Sequence, residues 1–293
     1  MGTSWDLRRL TTVFRIVEKT EPVPNTHLVT IEAPKVAAKC QPGQFVIVMV
    51  DDRSERVPLS LADWDPQAGT LTVPVFEVGR SSRKIAMLQA GDELAHLIGP
   101  LGRPFPIAKH GTVVCAGGCY GLAAIYPIAR AMKQAGNRVV CVLEARSHYL
   151  YYQQDRLAKV ADELLYATID GSRDRKGHAC DVLSDMLAEQ RPIHFVVAVG
   201  CPFMMMLCGE ATKSAAVPTW ACLNPIIVDG TGMCGACRVT VAGQTRFACV
   251  DGPFFDAHQV DWDELFHRQA AYLGDEVQAV GQTDAPLHPH HHH

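Results

Sequence analysis

Short apolar runs broken by turn residues fill the chain from Thr11 to about Phe105. Thr12 to Glu18, Thr26 to Glu32, Phe45 to Val50, Leu71 to Val78 and Glu93 to Ile98 read as strands, with Pro, Gly and Asn between them and little helical spacing. Several short strands punctuated in this way predict an antiparallel β-barrel. Gly99-Pro100-Leu101-Gly102 followed by Pro104 reads as the ordered connector leaving it.

The pattern changes at Gly111. Val113 to Ala116 is a continuous apolar strand, Leu122 to Gln134 has helical apolar spacing, and Gly136 stands where helices favour a terminating glycine. The alternation repeats through strand Arg138 to Leu143, a helix around Gln153 to Val160, strand Glu163 to Ile169, helix Asp181 to Glu189, strand Phe195 to Val199 and helix Phe203 to Lys213. Strands alternating with helices predict an α/β unit: a doubly wound parallel sheet covered on both faces. Thr219 to Leu223 adds a further strand, and a Gly- and Cys-rich module from Asn224 to about Tyr272 follows. So short a module has little room for its own core, and such modules usually need a metal. The expected organisation is a barrel over 1–108, a nucleotide-binding α/β domain over 109–222, a metal module over 223–273 and a tail over 274–293, whose His288 to His293 looks like a tag or a His-rich end.

A length of 293 residues agrees with two compact units and an appended module. The net charge of −4 carries no basic excess for nucleic acid or an anionic membrane surface. The apolar stretches Val113 to Met132 and Phe195 to Cys208 are interrupted or too short to span a bilayer. Met1 to Leu10 lacks the apolar core of a signal peptide, which makes the cytoplasm the expected compartment. Eleven cysteines, an odd number unevenly spread, do not suggest a secreted disulfide framework. Cys115 and Cys141 sit in Val-rich runs where a free thiol simply packs.

The sharpest chemical signal is Asp229-Gly-Thr-Gly-Met-Cys234-Gly-Ala-Cys237, with Cys249 further on. Plant-type [2Fe-2S] sites run ligand-x4-Cys-x2-Cys and then a distant Cys, and Asp229 occupies the first ligand place in that frame. Gly230, Gly232 and Gly235 let the backbone turn its amides towards the sulfides. Two alternatives stay open on spacing alone: zinc, and Cys222 in place of Asp229 as fourth ligand. A second signal is Gly117-Gly118-Cys119-Tyr120-Gly121-Leu122-Ala123 at the first strand-to-helix turn, where small residues let a pyrophosphate approach a helix N-terminus. Glu144 ends the next strand, the place for a group accepting from ribose hydroxyls of NAD. Arg146, two residues on, suits a 2′-phosphate instead. In the barrel, Arg56-Val57-Pro58-Leu59-Ser60 and Val78-Gly79-Arg80-Ser81-Ser82 combine a cation, small residues and hydroxyls in what read as loops, a composition suited to a phosphate-bearing flavin.

Together these segments resemble the ferredoxin reductase-like electron-transfer subunits, which include the small subunit of NADH-dependent ferredoxin:NADP oxidoreductase and the electron-transfer subunits of dihydroorotate dehydrogenase and sulfide dehydrogenase. The resemblance runs from about Val13 to Tyr272 and is most specific at Arg56 to Ser60, Gly99 to Gly102, Gly117 to Pro127, Leu223 to Cys237 and Phe247 to Leu265. It implies FAD held by Arg56, Pro58, Leu59 and Ser60, with Gly79, Ser81 and Ser82 near the pyrophosphate. It implies NAD(H) over Gly117, Gly118, Gly121 and Ala123, and Gly200 to Met205, with Met204, resembles the family's nicotinamide-side segment; Glu144 leans the choice towards NAD(H), while Arg146 leaves NADP(H) open. It further implies a one-Asp, three-Cys [2Fe-2S] site at Asp229, Cys234, Cys237 and Cys249, and a larger flavin/iron-sulfur oxidoreductase subunit as partner. Val57 and Leu59 depart from the wider superfamily's Arg and aromatic, and Cys201 stands where Pro is usual. The expected function is electron transfer between NAD(H), FAD and the cluster. The alternative is a non-catalytic [2Fe-2S] carrier or redox sensor lacking one cofactor.

Overall fold

A computed structural model describes residues 13–272 together with Gly274. The expectations for the first twelve residues and for the His-rich tail lie outside the described residues. In the first half the strands are β1 (Phe14–Val23), β2 (Thr26–Glu32), β3 (Phe45–Met49), β4 (Val57–Ser60), β5 (Asp63–Asp65), β6 (Thr70–Phe76), β7 (Glu93–Leu94) and β8 (His96–Leu101). They form two antiparallel sheets, ordered β5-β6-β2-β1-β7 and β4-β3-β8. Val29 and Ile31 of β2, Leu71, Val73 and Val75 of β6, and Val46 and Val48 of β3 point into one buried cluster, the period of two that one buried face requires. The predicted barrel is therefore present.

Three details differ from the sequence reading. Val57 to Ser60, which read as loop, form β4. Gly99, Pro100 and Leu101 belong to β8, so the connector begins only after Gly102. The barrel region also holds two helices, α1 (Pro34–Ala37) and α2 (Arg80–Met87). Gly79, Ser81 and Ser82, which read as loop, form the N-cap and first turn of α2. The hydroxyl of Ser82 accepts from the Val78 and Gly79 amides at 3.0 Å each, satisfying donors at the head of the helix.

The second unit alternates as predicted: β9 (Thr112–Gly118), α3 (Gly121–Gln134), β10 (Arg138–Ala145), α4 (Gln154–Ala158), β11 (Glu163–Thr168), β12 (Arg175–Lys176), α5 (Ala179–Ala188), β13 (Phe195–Val199), α6 (Pro202–Lys213) and β14 (Thr219–Cys222). Every residue of β9 and β13 is buried, as expected of strands covered by helices on both faces. Val113, Val114, Val140, Val142, Val196 and Val197 are fully buried, each contributing about 1.5–3 kcal/mol before conformational entropy is set against it. Gly136, at φ +82, ends α3, and the buried Asn137 side chain accepts from the His110 and Gly111 amides at 2.7 and 3.1 Å.

The C-terminal stretch contains β15 (Arg238–Val241), β16 (Gln244–Phe247), β17 (Phe254–Asp256) and α7 (Trp262–Gln269). It is not a detached module. β17 pairs antiparallel with β14, Cys222 opposite Phe254, and closes a seven-stranded sheet ordered β12-β11-β10-β9-β13-β14-β17. Ile227, Cys237, Val239, Ala248, Cys249, Val260 and Leu265 join the core of the parallel sheet. So the stretch too small for its own core borrows one.

Two features set the site. The parallel sheet starts at β9, runs outward through β10 and β11, then returns to β13 on the other side. At that reversal the carboxyl ends of β9 and β13 diverge and leave a crevice. The barrel faces it, clasped to the second unit by Asp63 of β5, which accepts from Arg130 of α3 at 3.1 Å and from Arg156 of α4. Both guanidinium groups also lie over the Tyr126 ring, at 5.2 and 4.1 Å.

Candidate functional site

The crevice at the reversal opens into a cleft of about 420 Å³ with four walls. Cys119 and Tyr120 follow β9, and Cys201 and Pro202 follow β13. Cys222 to Pro225 and Ile227 follow β14, and the barrel supplies Phe45, Val57 to Ser60, Pro74, Phe76, Val78 and Ser82. The size suits a cofactor, and the lining is mostly apolar with a few polar groups, the usual makeup of such sites. Pro58, Leu59, Phe45, Ile227 and Pro253 offer flat apolar surface, while Ser60, Asn224 and the Tyr120 hydroxyl offer hydrogen bonds. These residues fit the ring system of a flavin.

The glycines at the β9 and β13 ends are there for close approach. A Cβ on Gly121 would lie 1.8 Å from the Val199 oxygen, and on Gly118 2.8 Å from Met204 Sδ. A Cβ on Gly200 would meet Met204 at 3.0 Å, so Met204, fully buried, is the packing floor under both loops. Gly117 and Ala123 are likewise buried, and serve by being small. Tyr120 bridges the two loops: its hydroxyl donates to the Gly200 oxygen at 3.0 Å, and burial pushes its pKa upward. The sequence reading missed Tyr120, although it lies within the glycine cluster that was singled out.

Glu144 and Arg146 part ways. The Glu144 carboxylate is buried at the end of β10, accepting from the Ala179 amide at 2.7 Å and lying 3.3 Å from His178 Nδ1. It thus caps the start of α5 instead of standing open at a strand end. Arg146 is exposed.

On the barrel side Val57 to Ser60 line the cleft, whereas Arg56 is exposed just before β4 and outside that lining. A neighbouring cavity of about 160 Å³ is lined by Arg53, Ser54, Glu55, Arg80, Ser81 and Lys84. Ser81 donates to Glu55, and Lys84 pairs with Asp51, whose carboxyl is lowered to about 2 by that pairing. Arg80 belongs to the segment singled out in the sequence, whereas Arg53 and Lys84 were not foreseen. They stand beside the head of α2, where cations and a helix start together favour phosphate.

At the other end of the same chain segment, Asp229, Cys234, Cys237 and Cys249 come together in two pairs. Asp229 accepts from the Thr231 amide at 2.9 Å and the Cys234 amide at 3.0 Å, contacts that hold its carboxyl below the usual range. Cys237 Sγ accepts from the Cys249 amide at 3.4 Å. Burial, then the adjoining Cys237, pushes the Cys249 thiol up to about 12, so a metal cation is needed to hold it as thiolate at neutral pH. Gly230, Gly232 and Gly235 all have positive φ, +75, +86 and +70, which lets the loop curl round the four side chains. Among the described residues no three His, Cys, Asp or Glu side chains converge as tightly as a single-ion site requires. Asp229 and Cys234 lie near the surface, and Cys237 and Cys249 are buried. Cys222 lies elsewhere, lining the cleft.

The chain is similar to several known proteins. Residues 224–261 match the family model for the iron-sulfur cluster binding domain of dihydroorotate dehydrogenase B. Over 266 residues the chain is 42% identical to the dihydroorotate dehydrogenase B (NAD(+)), electron transfer subunit homolog of Thermotoga maritima, covering 91% of this chain and 94% of that protein. It is 31% identical to the dihydroorotate dehydrogenase B (NAD(+)), electron transfer subunit of Shouchella clausii, covering 84% and 96%. A chain of the NADH-dependent reduced ferredoxin-NADP oxidoreductase, solved in work on flavin-based electron bifurcation, superposes with a TM-score of 0.88 at 40% identity, covering 93% of this chain and 98% of that one. A ferredoxin NADP+ reductase from Neisseria gonorrhoeae, with bound FAD and NADP, shares the fold at a TM-score of 0.57 and 17% identity, covering 70% and 91%.

Proposed function

From the family of dihydroorotate dehydrogenase B electron transfer subunits and their homologues, to which this chain belongs, we infer an electron-transfer subunit of a multi-subunit oxidoreductase that works with NAD(H), FAD and a [2Fe-2S] cluster. One observation carries the reading: the cleft wall and the cluster loop are a single stretch of chain. Ile227 lines the cleft and Asp229 stands two residues later, at most about 7 Å of extended backbone away. Held in these places, a flavin would supply the link between two-electron hydride chemistry and one-electron transfer to a cluster.

The protein's task is alignment. Pro58, Leu59 and Ser60 hold one side of the flavin ring, and Tyr120, Cys201 and Pro202 present the opposite wall, from which the nicotinamide approaches. Gly79, Ser81 and Ser82, with Arg80, hold the flavin phosphates at the start of α2. Gly117, Gly118, Gly121 and Ala123 keep the β9–α3 turn narrow enough for the pyrophosphate of NAD(H), with Gly200 and Met204 fixing the facing loop. Arg146, exposed beyond β10, meets the adenosine end, and Glu144 shapes that end by anchoring α5. Arg56 guards the barrel rim. Asp229, Cys234, Cys237 and Cys249 would hold the cluster, Asp229 and Cys234 from the side nearer solvent and Cys237 and Cys249 from the buried side. No acid, base or nucleophile is assigned, because the cofactors carry the chemistry and the chain supplies geometry.

A one-electron carrier near the surface needs an outlet, which the larger partner subunit supplies. No described helix is long and apolar enough to cross a membrane, and the cytoplasm is the proposed compartment. The test is optical. Protein purified without oxygen should show a flavin band near about 450 nm that NADH bleaches. Cluster absorbance without a flavin band would reduce the chain to a carrier, and bleaching by NADPH alone would reverse the nucleotide preference.

A further inference from the structure

Three arginines donate to carbonyls of the loops that carry the cluster cysteines. Arg238 Nη1 lies 3.3 Å from the Gly235 oxygen, Arg103 Nε 3.1 Å from that of Val250, and Arg268 Nη2 2.9 Å from that of Ala236. Their charges are not equivalent. Arg103 stands 3.6 Å from Asp251, which offsets it, and its side chain is 69% exposed. Arg238 is exposed, so water and salt screen it. Arg268 is half-buried, has no carboxylate partner among the described residues, and keeps a buried Nε donor without an acceptor.

The way Arg268 is delivered makes its position definite. It sits in the last turn of α7, whose first turn is capped by Asp261 accepting from the Glu264 amide at 2.9 Å and whose Leu265 is buried in the large core. The next residue, Gln269, donates to the Asn224 carbonyl at 2.8 Å, and Asn224 belongs to the cleft wall. The end of α7 therefore grips the cluster loop with one side chain and the cleft with the next.

We propose that Arg268 is a positioning residue of the [2Fe-2S] site, fixing the carbonyl between Cys234 and Cys237 and supplying the half-buried positive charge that favours the reduced cluster. The inference rests on the ligand assignment above. Each reduction brings in one electron from the reductant and one negative charge, while no ligand or proton leaves. A fixed cation in a poorly screened place therefore stabilises the reduced state more than the oxidised one. A buried donor without an acceptor is costly, and a negative charge near the Arg268 guanidinium would offset that cost.

The experiment is an anaerobic dithionite titration of the full chain, followed by the electron paramagnetic resonance of the reduced cluster. Arg268→Gln should keep its iron and sulfide but be about tenfold less reduced at a fixed mid-range potential, equal to about 59 mV for one electron. Arg268→Lys should recover most of that shift, and Arg238→Gln should move far less. A wild-type potential in Arg268→Gln overturns the proposal, and so does an equal shift in Arg268→Lys. Should the Gln variant fail to assemble, the Lys variant decides: assembly near the wild-type potential supports the charge, and a large shift refutes it. Wild-type protein without iron or sulfide would sink the ligand assignment itself, and that result appears before any variant is made.

Discussion

The parallel sheet and the cluster loop use the same residue type for opposite ends. Cys115 and Cys141 face each other across β9 and β10, fully buried among valines, and their thiols are only volume. Cys234 and Cys237 lie in a loop of positive-φ glycines, where shape comes from turns, amide hydrogen bonds and side chains waiting to share a charge. The sheet is held by burial and is indifferent to metal. The loop has two of its four proposed ligands, Asp229 and Cys234, near solvent, and the account makes its order depend on what it binds.

The comparison breaks most visibly at a ligand. Cys237→Ser should abolish cluster assembly, dropping iron to background, and should speed hydrogen exchange across residues 224–252 while β9 and β10 stay protected. Faster exchange in β9 with an unchanged loop would reverse the assignment of roles. Asp229→Ala comes next: cluster content should fall several-fold, whereas Asp229→Cys should keep iron but shift its potential. A full, unshifted cluster in Asp229→Ala would return Cys222 to candidacy.

The sheet side is tested sterically. Gly121→Ala places a methyl against the Val199 carbonyl, backbone against backbone, and should cost about 3 kcal/mol or more, seen as a fall in melting temperature on the order of 10 °C. The cluster spectrum should survive it below the transition. The smallest effect belongs to the clasp. Asp63→Asn leaves two partly exposed arginines without their carboxylate and should cost about 1 kcal/mol. Its readout is a lowered rate of flavin reduction by NADH with little change in melting, since the apolar core shared by the barrel and the sheet is left intact.

What the sequence revealed divides along the same line. The alternation of Val-rich strands and apolar helices needs no long-range information, and α3, β10, β13 and α6 fall where the pattern places them. The Asp229 to Cys237 spacing is equally local, because a tight loop must carry its ligands close together in sequence. Residues that matter through distant partners stayed hidden. Glu144 reads as an open strand end until α5 arrives to be capped, and Arg268 reads as a surface cation until its reach to Ala236 is seen. The α2 helix is polar enough to pass for a loop, since only Ile85 and Ala86 are buried. Likewise, β17 is a short Phe-Phe-Asp run whose pairing with β14 nothing nearby announces.

The most direct measurement is the iron and acid-labile sulfide content of protein prepared without oxygen. The account predicts two of each per chain, with negligible zinc. One zinc per chain, or neither iron nor sulfide, would contradict it.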